Sequence, residues 1–371
     1  MFVYPAAENP ALRLCNVTIK RGAALLPGGM RMASILGFVV GVALAVWLVI
    51  QTGPAALAAA LGGASLAGLA AVLGFHLLQM LLSAAGWHAV SGAAPAGSSR
   101  PGLGTLLTLR WVREGINNLL PVAQIGGEVV GARLLARGGM RLPEAIAATI
   151  CDLTLETVTQ IVFAVLGLAL LPAGRFGGAV SLAGIGLACL LVGGFVAVQI
   201  GGGAGLLERL LLRMGEAVGR HEFRAVEGME AALRRRYRAA GPLLRGAAWH
   251  LLSWLSGAVE VFLILRALGF PADLRTALLL ESLGQAVKSI GFAVPGAIGV
   301  QEGGYAAIAA SLGLPPELGV AISLVKRLRE IVFGVPALAL WRLRETRAAP
   351  RALSDPSSSG ASTPPPAPIG S

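Results

Sequence analysis

Charge is what this chain has least of. Only 13% of its 371 residues are Asp, Glu, Lys or Arg, against roughly a quarter in a soluble domain. Hydrophobic residues make up 55% and the mean hydropathy is +0.74, which excludes a water-soluble globule. Cysteine is scarce too. Cys15, Cys151 and Cys189 lie far apart with no CxxC spacing, so neither a disulfide framework nor a cysteine metal site is expected. The four histidines, His76, His88, His221 and His250, show no ligand spacing. A histidine hydrogen-bonded inside a helical bundle is the expectation, not a metal ligand. There is no GxxxxGK[ST] loop, so ATP drive within this chain is not expected. GxSxG, HExxH and Cys/His triad spacings are missing as well. No cofactor, metal or catalytic residue is assigned.

What is present is a series of apolar runs, many near the ~20 residues that cross a bilayer. The net charge of +11 sits mostly as arginine between those runs, the pattern of cytoplasmic loops rather than of a nucleic-acid surface. The chain therefore reads as an all-α, polytopic membrane protein. Residues 1–32 read as an N-terminal tail, with Met30 and Met32 as alternative starts. The run 33–50 followed by AALAAA resembles a signal peptide. The further spans favour a retained first span with its N-terminus inside. Spans are expected at 66–90, 144–171, 178–200, 242–268 and 317–341. Residues 205–238 are amphipathic and basic, suited to the cytoplasmic face or an anionic leaflet. Residues 346–371 are rich in Pro, Ser and Ala and read as a disordered tail.

Several positions recur at one offset. Pro121 and Pro295, Glu128 and Glu302, and Glu156 and Glu330 are each 174 apart in the numbering, as are Glu114 and Lys288, and Asp152 and Lys326. The two Ile-Val-Phe triplets, starting at Ile161 and Ile331, lie at a different offset, so the echo needs small gaps. Segment 103–127 is broken by Pro121 and Gly126-Gly127, and segment 274–312 by Pro295-Gly296. The arginines around the first place both its ends on the cytoplasmic side, so it reads as a re-entrant hairpin. The second is entered from outside. Two broken hairpins of opposite orientation make an inverted repeat, and such interruptions are the best sequence pointer to a transporter's site.

The polar residues inside these segments are the candidate site. Arg110, Arg113, Glu114 and Asn117 share one helical face, and Asn118 and Gln124 follow. Asp152, Glu156 and Gln160 form a second stripe. Glu281, Gln285 and Lys288 form a third, and Lys326 and Glu330 a fourth. Glu128 and Gln301-Glu302 adjoin glycines at the hairpin breaks. A charge at the bilayer centre costs at least ~2.5–3.5 kcal/mol on insertion scales, so it faces the bundle interior and pairs. The substrate-binding set is Arg113, Glu114, Asn117, Asn118, Gln124, Glu128, Asp152, Glu156, Lys288, Gln301, Glu302, Lys326 and Glu330. Two opposite-sign pairs, Glu114 with Lys288 and Asp152 with Lys326, are expected to neutralise each other, and Glu128 is expected near Glu302. The alternative for every one of these is a salt bridge that only holds helices together.

Three segments carry a family resemblance: NNLLPVAQIGGEVVGARLL, CDLTLETVTQ and GFAVPGAIGVQEGGY. They resemble the flippase-like transmembrane domain of lysylphosphatidylglycerol synthases (MprF-type), and within it the hopanoid-biosynthesis-associated HpnL-type proteins. The resemblance covers roughly 33–345. It implies a bacterial inner-membrane protein that moves or handles lipids, with both termini cytoplasmic. The partners implied are hopanoids or anionic or aminoacylated phospholipids, together with lipid-biosynthesis enzymes. An oligomer is compatible. A membrane-embedded enzyme or a scaffold in lipid head-group modification remains the alternative function.

Overall fold

The computed structural model describes residues 61–92, 99–120, 126–171, 226–271, 273–291 and 294–347, with scattered positions between 50 and 58 and between 186 and 209. The expected spans 33–50 and 178–200, the hairpin residues Pro121 and Gln124, and both tails lie wholly or largely outside these residues. Among the described residues the fold is all-helical, as expected. Nine helices follow in order: α1 (Leu66–Ser91), α2 (Leu103–Leu119), α3 (Gly126–Arg137), α4 (Leu142–Ala169), α5 (Met229–Arg238), α6 (Ala240–Ala267), α7 (Leu274–Ile290), α8 (Val300–Ser311) and α9 (Pro316–Arg347). A single 3₁₀ turn, Pro295–Ala297, joins α7 to α8.

Local chemistry sets the helix ends. Ser65 Oγ accepts from the Gly68 amide at 3.0 Å, and Asp273 Oδ1 from the Thr276 amide at 2.7 Å. Each satisfies one orphan N–H of a first turn. Within α4, the hydroxyls of Thr149, Thr154, Thr157 and Thr159 donate to carbonyls one turn back. These polar side chains therefore enter an apolar helix with their hydrogen bonds already made.

α1, α4 and α6 are long and apolar enough to cross a membrane. α9 is longer still, at 32 residues, but Lys326, Arg327, Arg329 and Glu330 crowd its middle. Its exposure is inside-out relative to a soluble helix. Leu328, Ile331, Val332 and Val335 face outward, while Lys326 and Glu330 are buried. That is the arrangement a lipid environment selects.

α1 and α6 form the most extensive helix pair and run antiparallel. Gly68 lies against Ala267, Gln79 against Ser253 and Gly86 against His250. Gln79 Nε2 donates to the Ser253 carbonyl at 3.5 Å, and Ser253 Oγ donates back to the Gln79 carbonyl at 3.1 Å. α1 and α6 start at Leu66 and Ala240, α3 and α8 at Gly126 and Val300, and α4 and α9 at Leu142 and Pro316. Each pair of starts is 174 positions apart, the offset found in the sequence. Two apolar clusters flank the assembly. One centres on Trp87, Leu109, Val112 and Leu135, the other on Val261, Leu280, Tyr305 and Ile322.

The breaks are glycine-dependent. Gly296 has φ +61° and Gly299 has φ +80° in the α7–α8 turn, a region that favours glycine. Gly127 lets α3 press onto α2: a Cβ there would stand 2.5 Å from the Arg113 carbonyl oxygen. Gly74, by contrast, faces open space. Gly127→Ala is therefore expected to destabilise the protein by about 1–3 kcal/mol through overpacking, while Gly74→Ala leaves stability unchanged or raises it. Thermal unfolding of the two variants in the same detergent checks this contrast.

Candidate functional site

A cavity of about 690 Å³ opens among seven helices: α1, α2, α3, α4, α6, α7 and α9. Its walls carry both signs of charge. Arg110, Arg113, Lys288 and Arg329 supply positive groups, and Glu114, Glu128 and Glu156 negative ones. Asn117, Asn118 and Gln160 add amides.

Arg113 organises the wall formed by α2, α3 and α4. Its guanidinium lies 2.5 Å from Glu128 and 2.6 Å from Asp152, with Glu156 at 3.8 Å. It stacks over the Trp87 ring at 4.4 Å, a cation–π contact that suits a desolvated arginine. Arg110 grips Glu156 with two hydrogen bonds, at 2.8 and 2.5 Å. Asp152 Oδ1 also accepts from His250 Nε2 at 2.9 Å. Asn117 ties the α2–α3 break together. Its Oδ1 accepts from the Gly127 amide at 2.8 Å and its Nδ2 donates to Glu128 at 3.3 Å.

A second group surrounds His76. Its Nε2 stands 3.7 Å from Glu114, and its Nδ1 stands 3.5 Å from Glu260 and 3.2 Å from Gln79 Oε1. Arg329 closes the group by bonding to Glu260. A third group is the buried pair Lys326–Glu281 at 2.6 Å, to which the Tyr305 hydroxyl also donates at 2.8 Å. The fourth runs from Lys288 through Glu330 and Arg327 to Glu302. Glu302 also caps α8, accepting from the Gly299 amide at 2.6 Å. Gln301 donates to Ser323 at 3.0 Å within the same layer.

The structure thus brings Arg113, Glu114, Asn117, Asn118, Glu128, Glu156 and Lys288 of the expected set to the cavity wall. Asp152 stands behind Arg113, and Glu330 behind Lys288. Lys326, Gln301 and Glu302 lie in the buried layer among α7, α8 and α9. The opposite-sign pairs expected from the offset do not form. Glu114 turns to His76 instead of Lys288, and Asp152 to Arg113 and His250 instead of Lys326. Glu128 and Glu302 are held by different arginines, Arg113 and Arg327. The physical reason is local: each carboxylate takes the cation that packing puts nearest. Arg329, Glu260 and the two histidines enter the site without having been in the expected set. The signal that pointed to the histidines was available, because 76 and 250 are also 174 apart.

The sequence model described as the lysylphosphatidylglycerol synthase TM region matches residues 34–337. The chain belongs to that family. No curated protein and no solved structure matches it. Family membership and the apolar helices together make this a membrane protein with a lipid-related role.

Removing one member of a buried ion pair strands the other, at a cost of about 3–5 kcal/mol, whereas replacing both is far less costly. Lys326→Met alone is expected to lose about that much stability. Adding Glu281→Gln is expected to recover most of it. Unfolding midpoints of the two single variants and the double variant close the cycle.

Proposed function

We propose that this chain moves a lipid head group between leaflets through the charged cavity, with the acyl or hopanoid body left in the surrounding lipid. The observation that carries the reading is the cavity itself, which is polar, two-signed and walled in part by α1, α4 and α6, three helices long and apolar enough to cross a membrane. A purely structural salt-bridge network has no need of a 690 Å³ opening.

Two further features support it. The breaks between α2 and α3 and between α7 and α8 read as the tips of two re-entrant hairpins. The antiparallel α1–α6 pair then lies on the pseudo-two-fold axis of an inverted repeat. In this reading the chain sits in the bacterial inner membrane with both termini cytoplasmic, and it acts as the hopanoid-associated HpnL-type proteins it resembles. The walls fit a head group carrying both a phosphate and an amine. Arg110, Arg113, Lys288 and Arg329 face the former, and Glu114, Glu128 and Glu156 the latter. An aminoacylated phospholipid or an amine-bearing hopanoid has that chemistry.

The test is leaflet exchange in proteoliposomes with head-group-labelled aminoacyl-phosphatidylglycerol, followed by dithionite or back-extraction. Wild-type protein is expected to speed exchange over empty vesicles. Lys288→Met is expected to slow it about 10–100-fold, the equivalent of one charge-assisted hydrogen bond of about 1.5–3 kcal/mol. No exchange with folded wild-type protein would sink the flippase reading, and a changed lipid mass in the same vesicles would replace it with an enzyme.

A further inference from the structure

The polar groups around the cavity are not equally committed. Arg110 places both terminal nitrogens on Glu156. Arg113 places one on Asp152 and the other beside Glu128. Glu128 also accepts from Asn117. On this α2–α3–α4 wall each terminal guanidinium nitrogen already faces a carboxyl group. Its bonds go into holding helices together.

The edge where α2, α7 and α9 meet is different. Arg329 engages Nη1 alone, on Glu260. Its Nε is buried without a hydrogen-bond partner, and its Nη2 makes no hydrogen bond among the described residues. Nε and Nη2 together form the side of a guanidinium that grips two oxygens of one phosphate or carboxylate. Arg329 is 7% exposed, so this unpartnered fork is also desolvated. Lys288 gives one hydrogen bond to Glu330, at 2.6 Å, and keeps at least one further N–H. The Asn118 amide makes no side-chain hydrogen bond among the described residues. It borders both the main cavity and a small recess beside it, which Glu114 and Arg329 also line.

Glu114 is the acidic counterpart of Arg329. Among the described residues it is the cavity carboxylate without a hydrogen bond, because its nearest partner, His76 Nε2, stands 3.7 Å away. Its side chain is 30% exposed, against 12% for Glu128 and 17% for Glu156. An uncommitted acceptor and an uncommitted donor fork therefore border the same recess.

We propose that head-group recognition is confined to this edge: Arg329 and Lys288 bind the oxygens of one phosphate, with the Asn118 amide beside them, and Glu114 binds one ammonium. The class that fits is a head group with one phosphate and one amine, as in a phosphatidylglycerol esterified with a monoamino acid. Glu114 is then the residue that separates aminoacylated from plain phosphatidylglycerol. Arg110 and Arg113 frame the opening without choosing its occupant. The assignment rests on the lipid-moving reading above and narrows it, and it is tested by binding rather than by transport.

The experiment is titration calorimetry on the full-length protein in nanodiscs. The probes are short-chain alanyl-phosphatidylglycerol, short-chain phosphatidylglycerol and inorganic phosphate. Wild-type protein is expected to bind the alanyl lipid at least about 10-fold more tightly than the plain one, the effect of one charge-assisted hydrogen bond. Glu114→Gln should bring that ratio close to one while leaving affinity for plain phosphatidylglycerol in place. A purely structural role for Glu114 would weaken both lipids together, and an unchanged ratio would overturn the ammonium site. Arg329→Lys keeps a cation for Glu260 but removes the fork. It should weaken both lipids about 10-fold and preserve their ratio. Unchanged affinities would overturn the phosphate site, and Lys288→Gln reads the same half should Arg329→Lys not fold. Inorganic phosphate competing as well as the lipids would make a free anion the ligand and overturn the head-group assignment. Selective binding without leaflet exchange counts against transport alone, and exchange without selective binding overturns the recognition edge alone.

Discussion

Hydrocarbon cannot solvate an ion, and nearly everything in this protein follows from that constraint. Every charge carried into the bilayer must meet its counter-charge there, because an unpaired one costs several kcal/mol. The helices are therefore arranged by their ion pairs as much as by their apolar faces. Arg113 draws together α2, α3 and α4, and Trp87 of α1 lies beneath it. Lys326 and Arg327 draw α9 to α7 and α8. α9 shows how far this goes. Four consecutive-turn charges in its middle would disqualify it as a span by hydropathy alone. Paired inward, they leave an outer face of Leu328, Ile331, Val332 and Val335 that lipid can wet.

The same constraint explains what the cavity is good for. A charged wall that has satisfied itself completely offers a head group nothing to bind. Here Arg110, Arg113, Lys288 and Arg329 stand with Glu114, Glu128 and Glu156 around the opening, so both signs of charge are presented to it. α7 and α9 bring Lys288 and Arg329 to the same wall, while Lys326, Gln301 and Glu302 are buried behind it.

Much of this was legible in the sequence, because an acid inside an apolar run is conspicuous. Asp152, Glu156, Glu128 and Lys288 announced themselves that way, and the glycines at 127 and 296 marked the breaks. The 174-position echo recurs in the observed starts of α1 and α6 and of α4 and α9, although the expected span starts, 66 and 242 and 144 and 317, did not use it. Partner choice was not legible. Spacing along one helix fixes which face a residue occupies but says nothing about what the next helix presents there. So Glu114 and Lys288 occupy matching positions yet never meet. The sequence gives His76 no site role, only a hydrogen-bonded place inside the bundle, and leaves Arg329 out for a related reason. A lone histidine in a span has many bland explanations, and an arginine inside KRLRE looks like one more loop charge. Only packing against Glu260 gives either of them a role.

The short helix α5 has a mechanical consequence. Arg235 and Arg236 hold Glu144 at the start of α4, and the Tyr237 hydroxyl shares a hydrogen with Thr154 at 2.9 Å. One residue, Ala239, separates α5 from α6. The start of α6 is thus moored to α4 by a splint one residue away. Its far end is moored to α1, where the Ser65 amide donates to the Ala267 carbonyl at 3.0 Å. A rod pinned at both ends is a spindle, not a lever. Held at both ends, α6 is the fixed element against which α1, α4 and α7 are packed.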